Sequence, residues 1–134
     1  MKEYMLKRSG QRALTFTGDE LASVSTFSDN GPGNLRYWTI RVFKTESDQF
    51  VLCMAWCSRW QGENEYDSAT VHESLFALAT ALEAHDPLSR LIGFPSDVSG
   101  KYADRQRHIE TVVRQQWQNA VSEILGDLDI AERI

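Results

Sequence analysis

The chain has few cysteines and few prolines, which are residue types that stabilise small proteins whose hydrophobic core is small. Its 134 residues include two cysteines and three prolines, and the sequence has no internal repeat. A chain of this length buries about two-thirds of its unfolded surface, so folding requires neither a disulfide nor a structural metal. We therefore expect a single domain over residues 1–134.

Long apolar segments are also missing. The N-terminal segment MKEYMLKRSG carries Lys2, Glu3, Lys7 and Arg8 with no apolar run behind them, which excludes the pattern of a signal peptide. No stretch approaches the roughly 20 apolar residues of a membrane-spanning helix. The sequence therefore predicts a cytoplasmic protein that does not contact a membrane and whose thiols are reduced.

Positive charge is in the minority: 14 Lys and Arg accompany 19 Asp and Glu, a net charge of −5. Binding to nucleic-acid phosphates requires a local surplus of basic residues. In the C-terminal segment the basic residues alternate with acidic ones, as on a solvent-exposed helix face. Nucleic acid is therefore not an expected partner, whereas an acidic surface can attract a basic one.

Recognised catalytic and metal-binding motifs are absent as well. The three histidines, His72, His85 and His108, do not match a metal-ligand spacing. The chain contains neither a glycine-rich phosphate loop nor a serine in a nucleophile elbow. We expect no catalytic residue, no bound metal and no cofactor, and this absence favours a non-enzymatic protein.

The sequence predicts a β-hairpin near the N-terminus. The segments EYMLKR and RALTFT flank residues 9–11, and a three-residue turn with a glycine is a common hairpin connection. This turn pairs Leu6 with Leu14 and Tyr4 with Phe16, so that all four side chains share one side of the hairpin.

The segment after this hairpin has two interpretations. Residues 18–27, GDELASVSTF, form either a short helix capped by Asp19 or a third strand from Leu21 to Phe27. Residues 27–34, FSDNGPGN, contain the glycine and proline pattern of a loop between β segments.

A second hairpin is the clearest signal in the chain. The segments LRYWTIRVFK and QFVLCMAWCS are rich in β-branched and aromatic residues and flank a polar turn at 46–48. A shift of one residue would exchange the two sides of the hairpin, so the hydrophobic pattern predicts the register. The apolar side pairs Val42 with Leu52, Ile40 with Met54 and Trp38 with Trp56, and the mixed side pairs Tyr37 with Cys57, Thr39 with Ala55, Arg41 with Cys53 and Phe43 with Val51.

The two cysteines, Cys53 and Cys57, are four residues apart within this hairpin. On a strand they lie roughly 13 Å apart, whereas a disulfide needs Cα atoms within about 7 Å. They also lack the spacing and the second cysteine pair of a zinc site. We expect two free thiols without a redox role. A nucleophilic pair of Cys57 and His72 is conceivable only if the strand that ends at His72 runs beside Cys57.

Helix-forming patterns dominate the C-terminal half. Residues 65–72 predict one more strand, after which Ser74 is a plausible N-cap and Pro87 ends a helix. Residues 88–95 predict a short helical turn, and residues 99–128 predict a long helix. The buried stripes are Leu75, Leu78, Ala79 and Leu82 in the first helix and Tyr102, Ile109, Val113, Trp117, Ala120 and Ile124 in the last.

Strands that precede helices along a chain are typical of an α+β fold. We expect an antiparallel sheet of about four to six strands in the N-terminal half, with about two to three C-terminal helices packed on one face.

The mixed side of the second hairpin is the candidate binding surface, because aromatic residues around an arginine are typical of interface centres. The loop WQGENEYD follows it, and its carboxylates lack the spacing of a calcium-binding loop. The competing interpretation is that the first hairpin or the 65–72 strand folds over this side and closes a barrel. The predicted partner-binding residues are Tyr37, Arg41, Phe43, Trp60, Glu63 and Glu65.

These features predict a small non-enzymatic protein-binding module, of the accessory or inhibitor type found in bacteria and phages, that acts through a sheet surface. Its expected partners are another protein, a second copy of itself, or both. The alternative is a small-molecule-binding fold or small enzyme with a pocket between sheet and helices near Tyr37, Cys57 and His72. A weaker alternative is an acidic decoy for a nucleic-acid-binding protein. A thiolate that forms well below the ordinary thiol pKa of about 8.5 would favour the enzyme, whereas two inert thiols would favour the binding module.

Overall fold

The computed structural model describes residues 1–27, 36–59, 64–90 and 101–129, with the backbone alone for 101–103. Over these ranges an antiparallel sheet precedes two helices, which confirms the α+β class and matches the lower of the two expected helix counts. The predicted helical turn at 88–95 lies partly outside the described residues. The elements are β1 (Lys2–Arg8), β2 (Gln11–Ser25), β3 (Arg36–Thr45), β4 (Phe50–Ser58), β5 (Tyr66–His72), α1 (Leu75–Ala84) and α2 (Lys101–Asp127).

The five strands lie in chain order in a single sheet, and both hairpins have the predicted registers. In the first hairpin Leu6 pairs with Leu14 and Tyr4 with Phe16. The second hairpin pairs its residues as predicted on both of its sides. The strand predicted at 65–72 is β5, which pairs antiparallel with β4. Alternating side chains were therefore sufficient to predict these pairs in both hairpins. The first turn differs from the prediction, because the register shifts between Leu6 and Arg8 and Arg8 pairs with Gln11, so that the turn consists of residues 9–10 and not 9–11.

A β-bulge near Leu21 lets the long strand β2 contribute to both sides of the sheet. Glu20 pairs with Phe43 on the mixed side, whereas Ala22 pairs with Val42 on the apolar side. The extra residue between these pairs reverses the side to which the following residues point. The segment 18–27 is thus neither a helix nor a separate strand: up to Ser25 it continues the strand of the first hairpin.

Two apolar clusters result, one on each side of the sheet. The helix-side cluster joins the apolar side of the second hairpin to both helices, and β2 adds Ala22 and Val24 to it. The hairpin cluster lies on the mixed side, and β2 adds Leu14 and Phe16 to it. The buried members of the helix-side cluster are Trp38, Ile40, Val42, Leu52, Met54, Trp56, Leu78, Leu82, Trp117, Ala120, Val121 and Ile124; those of the hairpin cluster are Leu6, Phe43, Val51 and Ala69.

Helix α1 begins and packs as its sequence predicts. The Ser74 side-chain oxygen accepts a hydrogen bond from the Ala77 backbone N–H at 3.0 Å, which satisfies one of the free donors of the first turn. Leu78, Ala79 and Leu82 are buried, and Leu78 and Leu82 belong to the cluster that joins α1 to the sheet and α2. The predicted stripe of α2 is also buried at Val113, Trp117, Ala120 and Ile124.

The sheet curls until its first and last strands meet. The Ser9 N–H donates to the Asp67 carbonyl oxygen at 2.8 Å, and the Asp67 N–H donates to the Ser9 hydroxyl oxygen at 2.9 Å. This contact holds the tip of the first hairpin against β5, so the mixed side is the inside of the curl. The interpretation in which the first hairpin folds over this side is therefore correct for part of it.

Gly18 allows the backbone of β2 to pass close to the backbone of β3. A Cβ atom at Gly18 would lie 2.1 Å from the Lys44 carbonyl oxygen and 2.9 Å from the Thr45 Cα. Both of those atoms belong to the backbone of β3, so a larger residue cannot be accommodated by rotating a side chain. The close approach therefore requires glycine at this position.

We expect the substitution Gly18→Ala to lower the free energy of unfolding by about 1–3 kcal/mol, the usual cost of overpacking a buried position. Urea unfolding followed by tryptophan fluorescence measures this change.

Gly126→Ala is the matched control, because a Cβ atom there would meet nothing within 4 Å. Alanine is the better helix former, so this variant should gain roughly 0.5–1 kcal/mol. A Gly18→Ala protein as stable as the unmodified chain would contradict the close crossing of β2 and β3.

Candidate functional site: the open sheet face

Within the ranges that the structure describes, part of the mixed side is covered neither by the first hairpin nor by a helix. Strand pairing places Ser23 beside Arg41, Ser25 beside Thr39, and Thr39 beside Ala55, so these side chains point to the same side. Ser23 and Ser25 are exposed, and the rest are partly exposed. We call this surface the open sheet face; it consists of Ser23, Ser25, Phe27, Tyr37, Thr39, Arg41, Ala55 and Cys57.

The face is open because β1 is much shorter than β2. The pairing of β1 with β2 extends only to Gly18, so among the described residues the second half of β2 has no strand on its outer edge. The tip of the first hairpin is fixed at Asp67 and covers the part of the sheet around Phe43 and Val51. The remaining floor consists mainly of small side chains, which leaves a shallow concave surface.

An aromatic pair borders this surface. The rings of Phe27 and Tyr37 lie 5.2 Å apart in an edge-to-face arrangement, with an interplanar angle of 79°. Phe27 is 49% exposed although it is a large apolar residue. Rigid aromatic side chains that remain accessible are typical anchors of protein interfaces.

Arg41 lies at the opposite border and is already paired. Its Nη2 and Nε donate to the Glu20 carboxylate oxygens at 2.9 and 3.2 Å, and its guanidinium lies 4.8 Å from the centre of the Phe43 ring. The hydrogen bond from Arg41 lowers the pKa of Glu20. Arg41 therefore offers little unpaired positive charge to a partner.

At the β5 border of the face, the two carboxylates of Glu65 and Asp67 outnumber the one nearby guanidinium, that of Arg59, which acts on Tyr37. Asp67 pairs with Ala55 and so lies on the same side as the open sheet face. Burial raises the pKa of the Cys57 thiol, and the nearby carboxylates of Glu65 and Asp67 raise it further. In the described part of the chain, no ion pair forms at the carboxylate of either Glu65 or Asp67.

Both cysteines are free thiols on β4, as the strand interpretation predicted. Burial is the main cause of the raised pKa of Cys53 and of Cys57, so neither is an activated nucleophile. A hydrogen bond with the Tyr37 hydroxyl acts in the opposite direction on Cys57. The Tyr37 pKa is itself raised, chiefly by the neighbouring Cys57.

The conceivable pair of Cys57 and His72 does not form. His72 lies opposite Phe50, at the other end of β4 from Cys57. Seven residues of strand correspond to roughly 23 Å. The His72 ring instead forms a hydrogen bond with the Thr70 hydroxyl at 2.8 Å.

The structure places the predicted partner-binding residues in different environments. Tyr37 and Arg41 belong to the open sheet face, and Glu65 is exposed beside it. Phe43 has 0% exposure, because the Tyr4 and Phe16 rings of the first hairpin lie 4.7 and 5.3 Å from it. The first hairpin therefore covers the Phe43 side chain, which is not accessible to a partner in this structure. Trp60 and Glu63 lie outside the described residues.

Sequence reasoning missed the contribution of β2 to this face. Ser23 and Ser25 reach it through the pairing of β2 with β3, and the same pairing brings Glu20 to its border beside Phe43. The alternation in SVSTF was a signal for a strand, but the bulge at Leu21 hides which side each residue faces.

A cleft also exists on the helix side of the sheet, with a volume of about 290 Å³. None of Tyr37, Cys57 and His72, the residues predicted for a pocket, lines this cleft, and Tyr37 and Cys57 point to the opposite side of the sheet. Within the described ranges, no group of three or more His, Cys, Asp or Glu could hold a metal ion. Neither described helix is long and apolar enough to cross a membrane.

Comparison of the chain with protein-family models, curated proteins and solved structures gives no match.

We expect both thiols to react with iodoacetamide only at high pH, with rate midpoints above the ordinary thiol pKa of about 8.5. Tyr37→Phe removes the hydrogen bond that lowers the pKa of Cys57, so the Cys57 midpoint should rise while that of Cys53 stays unchanged. Mass spectrometry of the alkylated peptides measures each cysteine separately, and Cys53 serves as the internal control. A midpoint below about 8.5 at either thiol would favour an enzyme instead.

Proposed function

We propose that this chain is a non-enzymatic protein-binding module whose open sheet face holds a convex, basic segment of another protein. The observation that supports this most is that the concave side of the sheet is only partly covered by the first hairpin. Its uncovered part combines a floor of small side chains with the exposed ring of Phe27.

The shape of the face favours another protein over a second copy. A symmetric dimer would bring the same surface of two copies together. Two concave surfaces make contact only at their rims, so the small side chains of the floor, such as Thr39 and Ala55, would remain uncovered. A helix or a loop of a different protein is convex and can reach this floor.

The charges around the face favour a basic segment. Glu20 neutralises Arg41. The Glu65 and Asp67 carboxylates at the β5 border, by contrast, have no ion pair within the described ranges. A Lys or Arg of the partner would gain an ion pair there, and the net charge of −5 attracts such a segment from a distance.

The thiols support binding over catalysis. Cys57 is the one thiol among the residues of the open sheet face, and burial raises its pKa. Such a thiol is mostly protonated near neutral pH and reacts slowly. A cytoplasmic accessory or inhibitor protein of bacterial or phage type remains part of the proposal, on the basis of size and acidic charge.

A selection from a random 12-residue peptide library tests the proposal. We expect the enriched peptides to combine Lys or Arg with an aromatic or branched apolar residue. Thr39→Arg places a long basic side chain on the floor of the face and should weaken the binding of these peptides at least about tenfold, or about 1.4 kcal/mol. Fluorescence anisotropy of a labelled peptide measures the affinity.

Thr15→Arg is the matched control, since Thr15 is exposed on β2 but lies outside the open sheet face. It should leave peptide affinity unchanged, and circular dichroism should show that both variants fold. Enriched peptides without basic residues, or full binding by Thr39→Arg, would contradict the proposal. A dimer in sedimentation equilibrium that Thr39→Arg dissociates would identify a second copy as the occupant and overturn the choice of partner.

A further inference from the structure

The cleft on the helix side of the sheet is a separate structural feature, independent of the open sheet face. It lies between β4 and β5 on one side and the turn after α1 on the other, and its volume of about 290 Å³ is at the lower end of the range for small-molecule sites. Its lining residues are Trp38, Met54, Tyr66, Ser68, His85, Ser89 and Arg90.

Hydrogen bonds hold the walls of the cleft in place. The Trp38 indole N–H donates to the Pro87 carbonyl oxygen at 2.9 Å and so fixes the turn after α1 to the sheet. Within that turn the Leu88 N–H donates to the Asp86 carboxylate at 3.0 Å. On the opposite wall Ser68 pairs with Met54, and its small side chain leaves space where a larger residue would fill the cleft.

One guanidinium at the cleft has no acidic partner among the described residues. Arg90 lies 4.2 Å from the centre of the Tyr66 ring, a contact that orients its side chain. Among the described residues, no carboxylate forms an ion pair with Arg90. The hydroxyl groups of Ser68 and Ser89 likewise make no hydrogen bond within the part of the chain that the structure describes.

The rest of the lining is aromatic or apolar. The His85 ring packs against Trp38 at 4.5 Å and against Trp117 at 4.9 Å. Burial lowers the pKa of His85, so its ring is mostly neutral near neutral pH and adds no second cation. Met54 and the Tyr66 ring provide a surface on which a flat apolar group can lie.

We propose that this cleft binds a small aromatic carboxylate, with its ring against Met54 and Tyr66 and its carboxylate on Arg90. The guanidinium is the side chain best suited to a carboxylate, because two parallel N–H groups match its two oxygens. Ser68 and Ser89 can donate further hydrogen bonds. A purely inorganic anion would leave the apolar surface unused, and a neutral ring would leave Arg90 unpaired.

Titration of the isotope-labelled protein with benzoate and with indole-3-carboxylate tests this site, using the indole N–H resonance of Trp38 as the reporter. We expect at least one of the two carboxylates to cause saturable shifts of this resonance. The corresponding amides, benzamide and indole-3-carboxamide, have the same shape without the charge and should bind at least about tenfold more weakly.

Two variants distinguish the contribution of the Arg90 charge to probe binding from that of the cavity. Arg90→Gln should remove most of the preference for carboxylate over amide, because the cation is lost while the cleft remains. Ser68→Leu fills the cleft and should abolish the binding of all four probes. Arg105→Gln is the control, since Arg105 is exposed on α2 and does not line the cleft.

The proposal fails if neither carboxylate gives a saturable shift, or if the amides bind as tightly as the carboxylates. It also fails if Arg90→Gln retains the full preference for carboxylate. None of these outcomes bears on the open sheet face, because the cleft lies on the other side of the sheet.

Discussion

The structure depends on one constraint, that a single strand must contribute apolar side chains to both sides of the sheet. β2 does so by two local departures from regular strand geometry. The bulge near Leu21 reverses the side to which residues point, and Gly18 permits the backbone to pass close to β3. Without both, the first hairpin could not fold over the mixed side while Ala22 and Val24 still pack under the helices.

This arrangement separates the two surfaces that carry the functional proposals. The first hairpin covers only as much of the mixed side as the length of β1 allows, and the open sheet face is what remains. The cleft depends instead on how the turn after α1 docks on Trp38. The two surfaces share β3 and β4 but no side chain, since neighbouring residues of a strand point to opposite sides.

Much of the fold, but little of the site, could be predicted from the sequence. The pairing in both hairpins followed from alternating side chains, and α1 from its cap at Ser74, whereas the register shift beside the first turn was not predicted. The pairing of β2 with β3 could not be predicted, because a bulge breaks the alternation at Leu21. The burial of Phe43 could not be predicted either, because it depends on a hairpin distant in the chain. The cleft requires the position of Arg90 beside Tyr66, which no local pattern encodes.

The contact between Ser9 and Asp67 has a consequence for the behaviour of the protein in concentrated solution. The outermost strands of an open sheet expose unpaired N–H and C=O groups, which can recruit the strands of other molecules into aggregates. Here both the N–H and the C=O of Asp67 are bonded to Ser9, so part of the outer edge of β5 is unavailable to a foreign strand. The same two hydrogen bonds that shape the sheet thus also protect it against intermolecular β-pairing.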